Sequence, residues 1–216
     1  IVILFQLNQM SAFQKKALFL FLILKPYFCC MESTLKLYMV MLGCTPKGRF
    51  TEQHDIFFGI GNSLKELIPQ MKAFWPEAKG KIHIDAWREV TEVTNHSITI
   101  VPKNTNETIE KLYFINLGGY KENEFEEYHY KTLAVAESLG KAAKIAKATN
   151  FYKHFSFPGA TSHIDDKYGI DVDDIHNVND ILAPIFKEQY SLQITPFKTP
   201  IQEDILHIGY VKIDSL

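Results

Sequence analysis

The sequence is short of the residues and motifs that mark several common protein classes. Only three cysteines occur among 216 residues, Cys29, Cys30 and Cys44, and none are spaced as Cys-x-x-Cys. This excludes a disulfide framework and a multi-cysteine zinc site, and it favours a reducing, cytoplasmic compartment. The Gly-x-Ser-x-Gly, His-Glu-x-x-His and Walker patterns are also missing, so none of the enzyme classes that carry them is indicated.

An excess of charge and a long hydrophobic run are missing as well. The chain has 23 basic and 25 acidic residues, a net charge of −2, so nucleic-acid binding is not expected. The apolar run at 17–24 has eight residues, too few to span a bilayer, so stable membrane insertion is not expected either. Cofactors and partners stay unknown at this level, and a homo-oligomer is left open.

Residues 1–34 are predicted to form an extension outside the fold. The chain starts with Ile1, and Met31 is the natural start codon just before the regular pattern begins. Upstream or non-native sequence is therefore the favoured interpretation. The alternative is an export signal over residues 10–30, because Lys15 and Lys16 precede the apolar run as they would in a signal segment.

What the chain has is an internal repeat at an offset of 75 residues. Ten of the 29 positions from 36 to 64 are identical to the position 75 residues later. The first-copy residues are Lys36-Leu37-Tyr38, Leu42-Gly43, Phe50, Glu52, His54 and Ser63-Leu64. Their second-copy equivalents are Lys111-Leu112-Tyr113, Leu117-Gly118, Phe125, Glu127, His129 and Ser138-Leu139. An internal repeat predicts two similar structural units.

The offset then grows, which predicts insertions in copy two. His83-Ile84-Asp85 returns 80 residues later as His163-Ile164-Asp165, and Ser97 returns 94 residues later as Ser191. The second insertion is acidic and is predicted to be a surface excursion; its acidic residues are Asp171, Asp173, Asp174 and Asp180. Copy one is assigned to residues 35–105, and copy two, with a C-terminal strand, to residues 108–214.

The pattern within one copy predicts a β-β-α-β-β unit. Apolar strands are expected at 37–42, 55–60, 82–93 and 97–102, and a helix after Ser63, where Glu66 completes a capping box. Gly59 and Gly61 are interpreted as a tight strand–helix junction. The expected fold is therefore α+β, a pseudo-twofold pair of units with mainly antiparallel sheets, each covered on one face by its helix.

The order of these motifs resembles a known family. Lys-Leu-Tyr-x4-Leu-Gly, Glu-x-His, a helix and His-x-Asp, all used twice, are similar to the bacterial family called domain of unknown function 1543. The resemblance covers about residues 35–213. It implies a cytoplasmic protein with one or two copies of the domain, and it brings no activity and no catalytic residues.

Two polar sets are the candidate sites, one in each copy. Copy one offers Glu52, His54, His83 and Asp85, and copy two offers Glu127, His129, His163 and Asp165. At strand period two, each Glu-x-His or His-x-Asp pair points to one face. If the strands are neighbours, imidazoles and carboxylates meet, which is both a metal-ligand set and an acid–base set.

Three interpretations of these sets are left open. A structural network of buried histidines held by carboxylates is the simplest. A non-enzymatic binding or assembly module built from the two repeats is the leading functional hypothesis. A metal-dependent or acid–base enzyme is the alternative, and it requires the four residues of one set to converge where solvent reaches them.

Overall fold

The computed structural model describes residues 35–103, 108–158, 163–164, 175–197 and 204–216, the pair 163–164 by its backbone alone. All of these residues belong to one structural unit, Leu35–Leu216. The extension expected over 1–34 and the acidic stretch at 165–174 lie outside the described residues.

Strands dominate the described part of the chain, with short helices between them. The strands are β1 (Lys36–Cys44), β2 (Gln53–Gly61), β3 (His83–Val90), β4 (Glu92–Val93), β5 (His96–Pro102), β6 (Lys111–Tyr120), β7 (Glu127–Ala136), β8 (His163–Ile164), β9 (Ile175–Asn177), β10 (Tyr190–Pro196) and β11 (His207–Lys212). The α-helices are α1 (Ile68–Phe74), α2 (Leu139–Lys147), α3 (Asn150–His154), α4 (Val178–Ile181) and α5 (Pro184–Gln189). Within the described residues, no helix is long and apolar enough to cross a lipid bilayer.

The described strands pair antiparallel throughout. The first sheet has the order β11-β3-β1-β2, and the second has the order β7-β6-β8, with β9 also paired to β6. A third, smaller sheet has the order β10-β5-β4. The expected α+β class with mainly antiparallel sheets is confirmed. The C-terminal strand β11, which the sequence groups with copy two, pairs with β3 in the sheet of copy one.

Both faces of the first sheet are covered, which explains why β1 is apolar on both. On one face, Phe74 of α1 packs edge-to-face on Phe57 of β2, with ring centroids 5.6 Å apart. On the other face, the neighbouring Phe58 packs on Phe114 of the second sheet, also at 5.6 Å. Successive strand side chains point to opposite faces. The first sheet is therefore sandwiched between its helix and the second sheet.

The second sheet is arranged in the same way. Its inner face contributes Phe114 to the core shared with the first sheet. Its outer face buries Ile115 and Ala134 against Ala142 and Ala146 of α2. Small alanines let the helix lie close to the strands. The order of layers is α1, first sheet, second sheet, α2, as expected from the sequence.

The start of the first helical segment differs from the predicted capping box. The Ser63 side chain makes no capping hydrogen bond, because the chain enters a tight 3-10 turn, Leu64–Leu67, before α1 begins. In that turn the Glu66 amide donates to the Ser63 carbonyl oxygen at 3.2 Å. The Glu66 carboxylate accepts from the Asn62 amide at 2.9 Å and not from the Ser63 amide that the predicted capping box requires. In copy two, Ser138 does cap α2 by accepting from the Lys141 amide.

The strand register repeats at the offset seen in the sequence. In the first sheet Gly43 of β1 is paired with His54 of β2. In the second sheet Gly118 of β6 is paired with His129 of β7, and both residues lie 75 positions later. Equivalent residues of the two copies therefore occupy equivalent places in their sheets.

The smaller sheet pairs one strand from each predicted copy. Thr99 of β5 and Gln193 of β10 are equivalent at the offset of 94, and they are paired with each other. Equivalent residues that pair directly in an antiparallel ladder agree with a local twofold arrangement. The duplicated, pseudo-twofold unit stays a prediction.

A buried ion pair attaches the C-terminal segment to the first sheet. Asp204 Oδ2 lies 2.5 Å from Arg88 Nη2, and the Asp204 side chain is only 4% exposed. The same carboxylate accepts hydrogen bonds from the backbone amide and the hydroxyl of Thr91. These bonds replace the hydration that the Asp204 carboxylate loses on burial, and they hold the segment just before β11 against β3.

Replacing Asp204 by Ala is expected to lower the free energy of unfolding by about 2–3 kcal/mol, because Arg88 and Thr91 are left without their partner. Urea unfolding followed by circular dichroism measures this. The matched control is Asp214→Ala, since the Asp214 side chain is 89% exposed in its pair with Lys72. The control should change stability by less than about 0.5 kcal/mol. Equal effects of the two substitutions would contradict the assigned role of Asp204.

Candidate metal centre

Three adjacent strands bring two histidines to either side of one glycine. Gly43 near the end of β1 pairs with His54 at the start of β2 on one side and with His83 at the start of β3 on the other. Directly opposed residues in antiparallel strands share a face of the sheet. The sequence leaves open whether the Glu-x-His and His-x-Asp segments lie on neighbouring strands; in the structure β1 runs between them and pairs with both.

A β-bulge in β3 lies at Asp85, whose carboxylate is on the same face as the two histidines. Met41 pairs with Ala86 and Leu42 pairs with Ile84, so Asp85 has no partner of its own in β1. One extra residue in a strand re-aims the side chain at that point, and such bulges are common beside functional sites. Here the extra residue is Asp85, and its carboxylate lies beside both imidazoles.

The four residues predicted for copy one converge. His83 Nε2 lies 3.0 Å from Glu52 Oε1 and 3.2 Å from Asp85 Oδ2. His54 Nε2 lies 3.3 Å from the same Asp85 oxygen and 3.5 Å from Glu52 Oε2. Each carboxylate thus lies between the two imidazoles. The ligand atoms of Glu52, His54 and Asp85 all fall within 4.8 Å of one another.

The cluster is open to solvent on one side only. The side chains of His83 and Asp85 are 11% and 20% exposed, whereas those of His54 and Glu52 are 37% and 42% exposed. The structural-network interpretation expects buried histidines, and His54 does not fit it. The convergence at a solvent-reached position is what the metal or acid–base interpretations require.

The buried half of the cluster has close contacts without good hydrogen bonds. His83 Nε2 and Asp85 Oδ2 are buried, and neither has a hydrogen-bond partner of acceptable geometry among the described residues. Their 3.2 Å approach is therefore a proximity of two polar atoms that is not aligned as a donor–acceptor pair. A buried polar atom without a hydrogen bond lowers the free energy of unfolding by about 1–3 kcal/mol. A bound cation would use both atoms as ligands.

Gly43 is required by the cluster itself. A β-carbon at this position would lie 2.3 Å from Asp85 Oδ2 and 2.4 Å from His83 Nε2. Such distances are far inside van der Waals contact, so any side chain would displace both groups. The glycine of the repeated Leu-Gly pair is thus explained by the space that the imidazole and the carboxylate take above it.

Sequence reasoning missed Tyr210. Its ring lies over His83, with centroids 4.4 Å apart. Tyr210 belongs to β11, which pairs with β3 through an irregular register after Gly209, whose φ of 136° favours glycine. No local motif predicts this contact, because it depends on the pairing of β11 with β3.

The second set is only partly brought together in the described residues. The backbone places His129 and His163 on either side of Gly118, in the register of the first set. The Glu127 carboxylate accepts a hydrogen bond from the Tyr120 hydroxyl at 2.5 Å. Asp165 lies outside the described residues, so this set stays a prediction.

Gly59 and two tyrosines of β7 have structural roles. A β-carbon at Gly59 would lie 2.7 Å from the Phe57 ring, which agrees with the tight strand–helix junction expected there. Tyr128 and Tyr130 pack on Phe155 and Phe151, with ring centroids 5.4 and 5.5 Å apart.

The second predicted insertion, between Asp166 and Tyr190, is described from residue 175 onward. There the prediction of a surface excursion is wrong, because Val178, Leu182 and Phe186 are buried in the core.

The only cysteine among the described residues does not join the cluster. Cys44 is the last residue of β1 and is buried on the face opposite Gly43. Burial, and next to it the negative charge of Glu52, raises the pKa of its thiol. A protonated thiol on the other face is not a metal ligand for this site.

A cavity of about 460 Å³ begins one step along the same face. Met41, Ile56 and Ala86 line it. Met41 lies two residues before Gly43 in β1, Ile56 two residues after His54 in β2, and Ala86 directly after Asp85 in β3. Its far wall includes Lys131 of β7, and Leu206 and Ile208 of the C-terminal segment. It is large enough for a small organic molecule.

Comparisons with known proteins give a family match over part of the chain and a structural likeness. Residues 49–100, which include all four cluster residues of copy one, match the model of a family described as Domain of Unknown Function (DUF1543). The chain is also similar to the "Crystal structure of a protein Il1583 from Idiomarina loihiensis", with a TM-score of 0.50 and 22% identity over 83% of this chain and 97% of that chain. No curated protein matches the chain. The resemblance seen in the sequence is confirmed over residues 49–100, and the structural likeness shows the fold alone.

Replacing Gly43 by Ala is expected to displace the His83 and Asp85 side chains while the protein stays folded. Both groups can rotate away from a new β-carbon, so the free energy of unfolding should fall by only about 1–3 kcal/mol. Changes in the imidazole NMR signals of His54 and His83 report the displacement. Gly140→Ala is the matched control, because a β-carbon there meets nothing within 4 Å. Unchanged imidazole signals in Gly43→Ala would contradict the geometry of the cluster.

Proposed function

We propose that this protein is a binding module for a divalent transition metal ion, held by Glu52, His54, His83 and Asp85. The observation that supports this most strongly is the set of four nitrogen–oxygen separations of 3.0–3.5 Å between the two imidazoles and the two carboxylates, which the strands on either side of β1 bring together. Imidazole and carboxylate donors together are typical ligands of zinc and of non-haem iron.

The spacing of the donor atoms fits an ion of this size. Zinc binds nitrogen and oxygen ligands at about 2.0–2.2 Å in a tetrahedral arrangement, so neighbouring ligand atoms lie about 3.3–3.6 Å apart. The four nitrogen–oxygen separations in the cluster, 3.0, 3.2, 3.3 and 3.5 Å, fall close to that range. Two carboxylates and two neutral imidazoles also bring a charge of −2, which balances a divalent cation.

The tandem copies extend the proposal to the whole chain. The repeated strand register and the direct Thr99–Gln193 pairing support a duplicated unit, with copy one over 35–105 and copy two over 108–214. In this view both copies belong to the family that matches residues 49–100. The low cysteine content supports a cytoplasmic setting.

A metal-dependent or acid–base enzyme is the second candidate. The cavity next to the cluster favours it, since a small molecule bound between Met41 and Lys131 would lie one step from the metal ligands. The cluster would then supply a Lewis acid or a proton acceptor. If the protein turns over a small molecule, and if this turnover is lost in variants that no longer bind the metal, the enzyme is favoured over the binding module.

Cobalt(II) is the probe for the metal site, because its visible absorption reports the coordination geometry. The chelator-treated protein should take up cobalt with a tetrahedral-type spectrum, and His54→Ala should weaken binding at this site at least about tenfold. Binding should also weaken in acid, because protons compete for the imidazoles and carboxylates. His129→Ala, made alone and with His54→Ala, separates any contribution of copy two.

The control for this experiment is His96→Ala. His96 also lies 3.3 Å from a carboxylate oxygen, that of Glu110, but it is not part of the cluster. This variant should bind cobalt like the unaltered protein. Equal cobalt binding by His54→Ala and the unaltered protein would contradict the proposed site, as would a failure of the unaltered protein to bind zinc or cobalt.

A further inference from the structure

The two long hairpin loops place an exposed phenylalanine at the same position in each copy. Phe50 lies between β1 and β2, and Phe125, which is 75 residues later in the sequence, lies between β6 and β7. Both side chains are fully exposed. A fully exposed aromatic ring does not contribute to the core, and exposed aromatic side chains are enriched at protein interfaces.

The charges beside the two rings are opposite at equivalent positions. Lys47 and Arg49 precede Phe50, and their equivalents before Phe125 are Glu122 and Glu124. Lys47 and Arg49 are exposed and make no ion pair among the described residues. The acidic loop also carries Glu126, which is exposed after the ring. Lys121 lies 3.8 Å from Glu124 and offsets part of this negative charge. Three glutamates still leave this loop anionic, whereas the loop with Lys47 and Arg49 is cationic.

We propose that these loops form a dimer interface, in which the Lys47–Arg49–Phe50 loop of one molecule binds the Glu122–Glu126 loop of a second copy. The charge of each loop is opposite to that of the other loop of the same chain. A second copy therefore offers each loop an oppositely charged partner. In a twofold dimer this contact forms twice, because each molecule offers one loop of each charge to its partner. Two linked contacts reinforce each other, and a closed twofold dimer is the commonest assembly of identical chains.

A charge-exchange experiment tests this interface. The first variant, Lys47→Glu with Arg49→Glu, has two anionic loops, and the second, Glu122→Lys with Glu126→Lys, has two cationic loops. Glu124 is left unchanged because its carboxylate accepts a hydrogen bond from Tyr128 within the loop. Sedimentation velocity in the presence of a chelator measures association without any contribution from a metal site.

The unaltered protein should form a dimer whose dissociation constant rises with salt, because exposed charges are screened. Each variant alone should dimerise at least tenfold more weakly, and an equimolar mixture of the two should recover a mixed dimer. Phe50→Ser should also weaken dimerisation, whereas Ile109→Ser, at another exposed apolar residue, should not.

Three results would overturn the proposal. They are an unaltered protein that stays monomeric up to high concentration, variants that associate as well as the unaltered protein, and assembly into open-ended chains instead of dimers. None of these results bears on metal binding, so the interface and the metal site succeed or fail separately.

Discussion

The missing side chain at Gly43 is the constraint on which the rest of the site depends. Two strands flank β1 at this point, and each presents a histidine beside it. With a β-carbon at Gly43, the space above the strand would be taken, and Asp85 and His83 could not both enter it. The bulge then leaves Asp85 without a partner in β1, so its carboxylate lies on this face between His83 and Ala86. A glycine, a bulge and two strand starts are together enough to build a four-residue site on a rigid sheet.

The sheet on which the site lies is held firmly on both faces. α1 covers one face and the second sheet covers the other, with aromatic contacts at Phe57 and Phe58. The C-terminal segment adds a third restraint, because Asp204 bonds to Arg88 and Tyr210 lies over His83. Ligands carried by such restrained strands lose little conformational freedom on binding an ion, which favours affinity.

Local patterns in the sequence predict the elements and the first cluster, because strand period two and the repeated Leu-Gly, Glu-x-His and His-x-Asp segments carry that information. They do not predict Tyr210, whose place depends on the pairing of β11 with a strand more than a hundred residues earlier. The bulge at Asp85 is not readable either, since an extra residue in a strand has no fixed motif. The capping box predicted at Ser63 does not form, because a 3-10 turn precedes α1 and its Pro69. In that turn the Ser63 carbonyl oxygen, and not the Ser63 hydroxyl, accepts a hydrogen bond from the Glu66 amide.

X-ray absorption spectroscopy of the zinc-loaded protein tests the central claim most directly, because it reports the atoms around the ion. The account predicts a first shell of nitrogen and oxygen ligands at about 2.0–2.2 Å, with the outer-shell scattering of two imidazoles. This signature should be missing in a variant with His54 and His83 both replaced by Ala. A sulfur ligand at about 2.3 Å, or a shell without imidazole scattering, would contradict the account.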